Sequence, residues 1–336
     1  MGKTKKTISS SIEELIENYV NSIMNPEEIF SSIQEVVQKE VDSKLKDFKP
    51  ESSVKQIQIL QGKKIECAIE NQPQEFESIL QYASNKINLL LVGGAGTGKG
   101  IIAENIAKTL KADFFEVPAC QLEHQWEGFV DANGNYKATE FYLACKNASE
   151  GKKTVLLLDE LDCCDPCTLK HFNDCFERKW YRFPNNEKLD FKENLILIAA
   201  ANTFGTGANM QYIGNQLDSS TLDRFTVKEI FYDDNIQMLL TGNNENLVKF
   251  FNALRSAADK ASLKIIVSYR SLKTVAKMES IIPLTELLKE SLFKNLGADD
   301  LQILYNLMKL DLLTSNKYFK AMNELIKQDL KLVATA

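Results

Sequence analysis

Four short apolar runs recur through the middle of the chain, at residues 88–92, 114–117, 155–158 and 195–201, each followed by polar positions and then a helical period. Runs of this length read as strands, and the stretches between them as crossover helices. The alternation predicts an α/β domain, an αβα core around a parallel sheet. Ligands of such open sheets bind at the carboxyl ends of the strands. Ahead of the core, residues 54–59 and 65–69 alternate apolar and polar around Gly62 and Lys63, the signature of a hairpin.

The pattern changes on either side. From about 235 to 336 it is helical throughout, with Leu247, Phe250, Phe251 and Leu254 marking one helix and Leu272, Val275 and Met278 the next. Leu284, Leu287, Leu288, Leu292 and Phe293 mark a third helix, and Leu301, Leu304, Tyr305, Met308 and Leu325 continue the series. Residues 1–53 are also helical by period: Ile12, Leu15, Ile16, Tyr19, Val20 and Ile23 share a face behind Ser10 or Ser11. Asn25 and Pro26 then restart a helix through Val41. The expected organisation is a helical extension at 1–53, a core at 54–234 and a helical lid and tail at 235–336. The extension docks on its own core, a neighbouring subunit or another protein.

The first strand runs directly into Gly93, Gly94, Ala95, Gly96, Thr97, Gly98, Lys99 and Gly100, after which a helix begins. Strand, glycine loop and helix in that order form a phosphate cradle, with loop N–H groups and the helix N-terminus converging on phosphate oxygens. Lys99 would reach the β- and γ-phosphates. The pattern normally ends in Ser or Thr, whose hydroxyl ligates Mg²⁺. Gly100 has no side chain and cannot do so.

A second apolar strand closes on Asp159 and Glu160. Beside a phosphate loop, such a pair suits a magnesium nucleotide site, with Asp159 organising Mg²⁺ and Glu160 polarising the attacking water. Asn202 ends the strand at 195–201; it is either a turn residue or a contact to the γ-phosphate and the water. Arg224, in Thr221-Leu222-Asp223-Arg224-Phe225, either pairs with Asp223 or enters a neighbouring subunit's site, where such a finger is worth decades of rate.

At 336 residues and 44% hydrophobic, the chain is long enough for one large or two ordinary cores. A net charge of −6 disfavours a general grip on nucleic acid, which needs a clustered basic face. No apolar stretch reaches the length of a membrane span. The start, Met1 to Lys6, lacks a secretory apolar segment and the myristoylation pattern. Seven cysteines, four of them within 163–175, form no disulfide framework, so a reducing cytoplasm is expected. Cys164, Cys167, His171 and Cys175 have a spacing that would suit zinc. An ordinary N-cap at Asp165-Pro166 and a core role for Cys175 explain the same residues.

Taken in order, these motifs resemble an AAA+ ATPase, and within that superfamily the MoxR-type and dynein-related group. The similarity is greatest to the small ATPase subunit of cobaltochelatase and its phage-encoded relatives. The stretch from Ala201 to Asn209, then Tyr212 to Asp218 and Thr221 to Phe225, carries the likeness. Gly128 to Tyr136, Thr139, Phe141 and Ser268-Tyr269-Arg270 add to it. The resemblance implies ATP and Mg²⁺ as ligands, Lys99 on phosphates, Asp159 on the metal and Glu160 as catalytic carboxylate. It further implies Asn202 as sensor 1, Arg224 as a finger given to the next subunit, and Arg270 as a lid arginine on the γ-phosphate. Glu127, Gly128 and Phe129 lie in a loop that can face the central pore in this family; burial of Phe129 is the alternative.

The implied assembly is a ring, a hexamer, in the cytoplasm of a bacterium or a phage-infected host. The implied activity is ATP hydrolysis coupled to remodelling of a protein partner, a MoxR-like chaperone role, often alongside a separate von Willebrand A-type protein. Gly100 puts the hydrolysis rate in question. The retained Asp159, Glu160, Asn202 and Arg224 favour a slow ATPase over a non-hydrolysing, nucleotide-stabilised scaffold. A chelatase subunit and a nucleic-acid motor are further alternatives.

Overall fold

The computed structural model describes residues 72–207, 212, 214–309 and 315–334, together with two short strands near the start. The helices predicted between residues 10 and 41 lie outside the described residues. The strands β1 (Lys55–Gln58) and β2 (Lys64–Cys67) pair antiparallel with Lys55 opposite Cys67, forming the expected hairpin.

The core follows in the order α1 (Phe76–Ser84), β3 (Leu89–Val92), α2 (Lys99–Leu110), β4 (Asp113–Val117), α3 (His124–Glu127), β5 (Phe129–Val130), β6 (Tyr136–Lys137) and α4 (Glu140–Ser149). It continues with β7 (Thr154–Leu158), α5 (Pro166–Arg178), β8 (Trp180–Arg182), β9 (Lys188–Asp190), β10 (Leu195–Ala201), α6 (Ser219–Leu222) and β11 (Thr226–Glu229). Five strands form one parallel sheet in the order β11-β3-β10-β7-β4. The strands alternate their side chains between the two faces. Leu89, Leu91, Val155, Leu157, Ile196 and Ile198 pack with α1 and α2 in one cluster. Leu90, Val92, Leu156, Leu158, Leu195 and Leu197 pack with α4 and α5 in another. Burial on both sides is why these strands read as unbroken apolar runs. The fold is the predicted αβα sandwich.

The sequence pattern did not reveal β11 as a strand. Thr226-Val227-Lys228-Glu229 sits at the sheet edge with Val227 and Glu229 exposed, so no apolar run marks it.

The helical part comprises α7 (Asp234–Leu240), α8 (Glu245–Ala261), α9 (Tyr269–Met278), α10 (Leu284–Ser291), α11 (Ala298–Met308) and α12 (Lys317–Ala334). A hydrophobic cluster of its own holds α8 to α12, centred on Phe250, Phe251, Leu254, Leu272, Leu288 and Leu304. Asn244 caps α8 and Ser268 caps α9 in a reciprocal box with Ser271. No helix among the described residues is long and apolar enough to cross a membrane.

Candidate functional site

The phosphate loop leaves the sheet at the end of β3, between β11 and β10. Its first glycine is forced by crowding: a Cβ on Gly93 would lie 2.4 Å from the Ile230 carbonyl oxygen. Gly98, at φ +89°, makes the left-handed turn that opens α2. Thr97 is buried, and its hydroxyl donates to the Gly94 carbonyl at 3.0 Å within the loop itself.

Lys99 is 9% exposed, and its Nζ donates to Gly93 O at 2.6 Å, Gly94 O at 3.1 Å and Asn202 Oδ1 at 3.1 Å. All three acceptors are neutral. Burial therefore pushes the ammonium down from 10.5 to about 8, against the opposing pull of Asp159, Asp162 and Glu160 and with a further push from Arg270. The sign follows directly. Between about 8 and 10.5 the unfolded chain binds more protons at Lys99 than the folded one, so this lysine makes stability rise with pH across that window. A phosphate ligand, in contrast, needs the charged form. ATP affinity is expected to fall as pH rises through about 8, with binding drawing in a proton. Calorimetry in buffers of different ionisation enthalpy reads that proton; a buffer-independent heat at pH 8–8.5 would contradict it.

The carboxylates stand at the carboxyl end of β7. Asp159 is partly exposed; its Oδ1 accepts the Glu160 N–H at 3.0 Å, and its other oxygen has no hydrogen bond among the described residues. Glu160 holds a left-handed conformation at φ +52°, rare for a residue with a side chain, and is exposed. That turn sends Asp162 back under the site. Asp162 is fully buried, and its Oδ2 accepts from Asn202 N at 3.1 Å, Thr203 N at 2.9 Å and Thr203 Oγ1 at 2.8 Å. Its carbonyl also accepts the Asn215 N–H at 2.7 Å. One carboxylate thus fixes the end of β10 and the direction in which Asn202 reaches Lys99. Asp162→Ala would leave two buried donors on Thr203 and the half-buried Asn202 N–H without this acceptor. It is expected to cost about 3 kcal/mol or more in denaturant unfolding.

Arg270, in the first turn of α9, is exposed and makes no side-chain hydrogen bond or ion pair among the described residues. It faces the loop closely enough to bear on Lys99. The helical part docks directly on the loop. The Tyr269 N–H donates to Gly96 O at 3.3 Å, and a Cβ on Gly96 would come within 2.7 Å of Ser268 Cβ.

Arg224 is elsewhere. Its carbonyl accepts from Asn88 at the amino end of β3, the opposite end of the strand from the loop. Its guanidinium pairs with Glu177 at 3.1 Å, not with Asp223, and donates to the carbonyls of Asn173 and Ser220. The fold gathers the loop, Lys99, Asp159, Glu160, Asn202 and Arg270 at one end of the sheet and leaves Arg224 at the other.

Residues 89–231 match the model of the ATPase family associated with various cellular activities (AAA). The segment is similar to AAA domains over that span. No curated protein matches the chain. The match takes in the loop, Asp159, Glu160, Asn202 and Arg224, and ends before Arg270. An AAA domain is an ATP-driven unit that binds nucleotide, typically with Mg²⁺, and typically assembles into rings.

Other residues singled out in the sequence divide between the alternatives given for them. Cys164 is buried beside Cys120 ahead of α5, Cys175 is buried in the core, and Cys167 and His171 are exposed. They converge on no common point, and no group of ligands among the described residues could hold a metal ion. His171 instead bonds the Tyr181 hydroxyl at 2.6 Å, which donates to Glu127. Phe129 is not buried: it and Val130 are 48% and 44% exposed on the β5–β6 hairpin. Thr139 caps α4 and Phe141 packs in the core.

Asp162 and Tyr232 escaped the sequence reading, and Tyr212 entered it only within the resemblance, with no role assigned. The hydroxyl of Tyr212 accepts the Ala95 N–H at 2.8 Å, and that of Tyr232 donates to the Ala95 carbonyl at 3.0 Å. One signal was available for Asp162, a carboxylate set among Leu161, Cys163 and Cys164.

Proposed function

We propose that the protein is a ring-forming ATPase that couples ATP binding and hydrolysis to remodelling of a protein partner. The observation that carries this reading is the division of the site: cradle, carboxylates and Asn202 at one end of the sheet, Arg224 at the other. In a closed ring of identical subunits, each head-to-tail contact can bring one subunit's Arg224 to the next one's loop.

The residues present fit a magnesium nucleotide. Gly93, Gly94, Ala95, Gly96, Thr97, Gly98, Lys99 and Gly100 would hold the phosphates, Lys99 moving from its main-chain acceptors to phosphate oxygen. Asp159, with one oxygen uncommitted, would hold Mg²⁺, whose charge neutralises the phosphates. Glu160 would take the proton of the attacking water, Asn202 would orient that water, and Arg270 would bind the γ-phosphate from the lid. The exposed Phe129 and Val130 suit contact with a protein client or with a von Willebrand A-type partner. The finer placement we propose is the MoxR-type group, near the cobaltochelatase small subunit, acting in the cytoplasm. The domain limits proposed are 1–53, 54–234 and 235–336.

Gly100 favours a second reading, a scaffold that binds nucleotide without turning it over. The site has room for the absent hydroxyl, however. A Cβ on Gly100 would meet only Leu157 Cδ2, at 3.8 Å, an ordinary contact. Gly100→Ser is therefore expected to fold normally and to lower the Mg²⁺ concentration needed for half-maximal hydrolysis several-fold. An unchanged Mg²⁺ dependence would show that position 100 has no part in metal binding. Mass measurement with and without ATP and Mg²⁺ tests the ring. A nucleotide-dependent shift to about six subunits is expected. A monomer under all conditions contradicts the proposal.

A further inference from the structure

The core and the lid meet through a chain of contacts that the functions proposed above leave without a role. At its centre is Tyr232, three residues beyond β11. Its hydroxyl donates to the Ala95 carbonyl in the phosphate loop at 3.0 Å. Its ring lies under the Arg255 guanidinium, 3.8 Å from Cζ to the ring centroid, and edge-on to Tyr269 at 5.1 Å and 89°.

Arg255 has an unusual setting. It projects from α8 with no carboxylate among the described residues in hydrogen-bonding range, and its Nη1 donates to the amide oxygens of Gln237 at 2.7 Å and Asn252 at 2.8 Å. Its Nη2 is buried with no hydrogen-bond partner. A desolvated guanidinium without an ion pair is costly, and an aromatic face compensates part of that cost. Its Nε donates to the Val267 carbonyl at 2.8 Å. Val267 precedes the cap of α9, the helix that carries Arg270. Tyr269 closes the circuit: its hydroxyl accepts the Asp233 N–H at 2.6 Å and its N–H donates to Gly96.

We propose that Tyr232 is a positioning residue that ties the phosphate loop to the lid, so that the state of the loop at Ala95 and Gly96 sets the approach of Arg270. Tyr232 touches no reacting atom; it acts through Ala95 on one side and through Arg255, Val267 and Tyr269 on the other. The role in nucleotide binding rests on the proposed ATPase function, while the mechanical link does not.

Tyr232→Phe removes the hydroxyl and keeps the ring, so it cuts the link to the loop without emptying the space. The first measurement needs no nucleotide. Amide hydrogen exchange of the full chain should show faster exchange at Ala95 to Thr97 and at the start of α9 in Tyr232→Phe, with α4 and the sheet unchanged. Equal exchange in variant and wild type overturns the link. The second measurement uses Mg·ATP. Tyr232→Phe should weaken its affinity about five-fold, the worth of one hydrogen bond, with maximal rate little altered. Arg270→Ala should then weaken ATP binding less in the Tyr232→Phe background than in wild type. Strictly multiplicative effects overturn the claim that Tyr232 positions Arg270. A wild type that fails to bind ATP contradicts the proposed ATPase instead, and the exchange measurement still decides the link. Arg255→Lys, which keeps the charge and loses the flat stack, should match Tyr232→Phe at the start of α9; wild-type exchange there would overturn the part assigned to Arg255.

Discussion

Replacing Glu160 with Gln is expected to reduce steady-state ATP hydrolysis by about 10²- to 10⁴-fold, the usual worth of a positioned general base, while ATP still binds. The separation of the two effects follows from the geometry. Glu160 is exposed at the rim of the site, and the hydrogen bond that Asp159 accepts comes from the backbone N–H of residue 160, which the substitution keeps. Its left-handed backbone is equally strained for Glu and Gln, so stability should hardly change. Lys99 and the loop, which would carry most of the phosphate contact, are untouched. Binding is read with a fluorescent ATP analogue and turnover by phosphate release. Equal hydrolysis in wild type and variant would establish the non-hydrolysing scaffold.

Arg224→Ala should cost still more, about 10³- to 10⁵-fold if Arg224 is a finger in trans, with nucleotide binding by the variant's own loop preserved. A purely local role makes a different prediction. The Glu177 pair is 63% exposed on the carboxylate side, and exposed pairs contribute at most about 1 kcal/mol. Loss of the bonds to Asn173 and Ser220 would loosen the junction of α5 and α6. Were that all, hydrolysis would follow the folded fraction of the variant. The trans role predicts inactive protein well below its melting temperature, and rates that track thermal stability would exclude it.

The core was legible because burial on two faces turns each central strand into an apolar run, and because a glycine loop between strand and helix has few other uses. Lys99, Asp159, Glu160 and Asn202 could be named since each sits at a strand end or in a fixed motif. What escaped was contact between distant segments. Nothing local marks Tyr232 as a partner of Ala95, 137 positions away, or Asp162 as the acceptor for Asn202 and Thr203. The edge strand β11 escaped for a related reason: half exposed, it has no apolar pattern to read. The cysteine spacing could not decide between zinc and core, because spacing within one stretch says nothing of direction, and Cys175 turns to the core while Cys167 turns to solvent.

The central claim is that one active site is built from two subunits. Mixing two inactive proteins tests it most directly. A Glu160→Gln subunit would retain Arg224 to donate, and an Arg224→Ala subunit would retain an intact cradle and carboxylates to receive it. In an equal mixture, combined before ATP is added, roughly a quarter of the head-to-tail contacts in the resulting rings pair a sound site with a sound finger. ATP hydrolysis should therefore reappear in the mixture, to a fraction of the wild-type rate. Activity no greater than the sum of the two variants alone, in rings shown to contain both, would contradict a site shared between subunits.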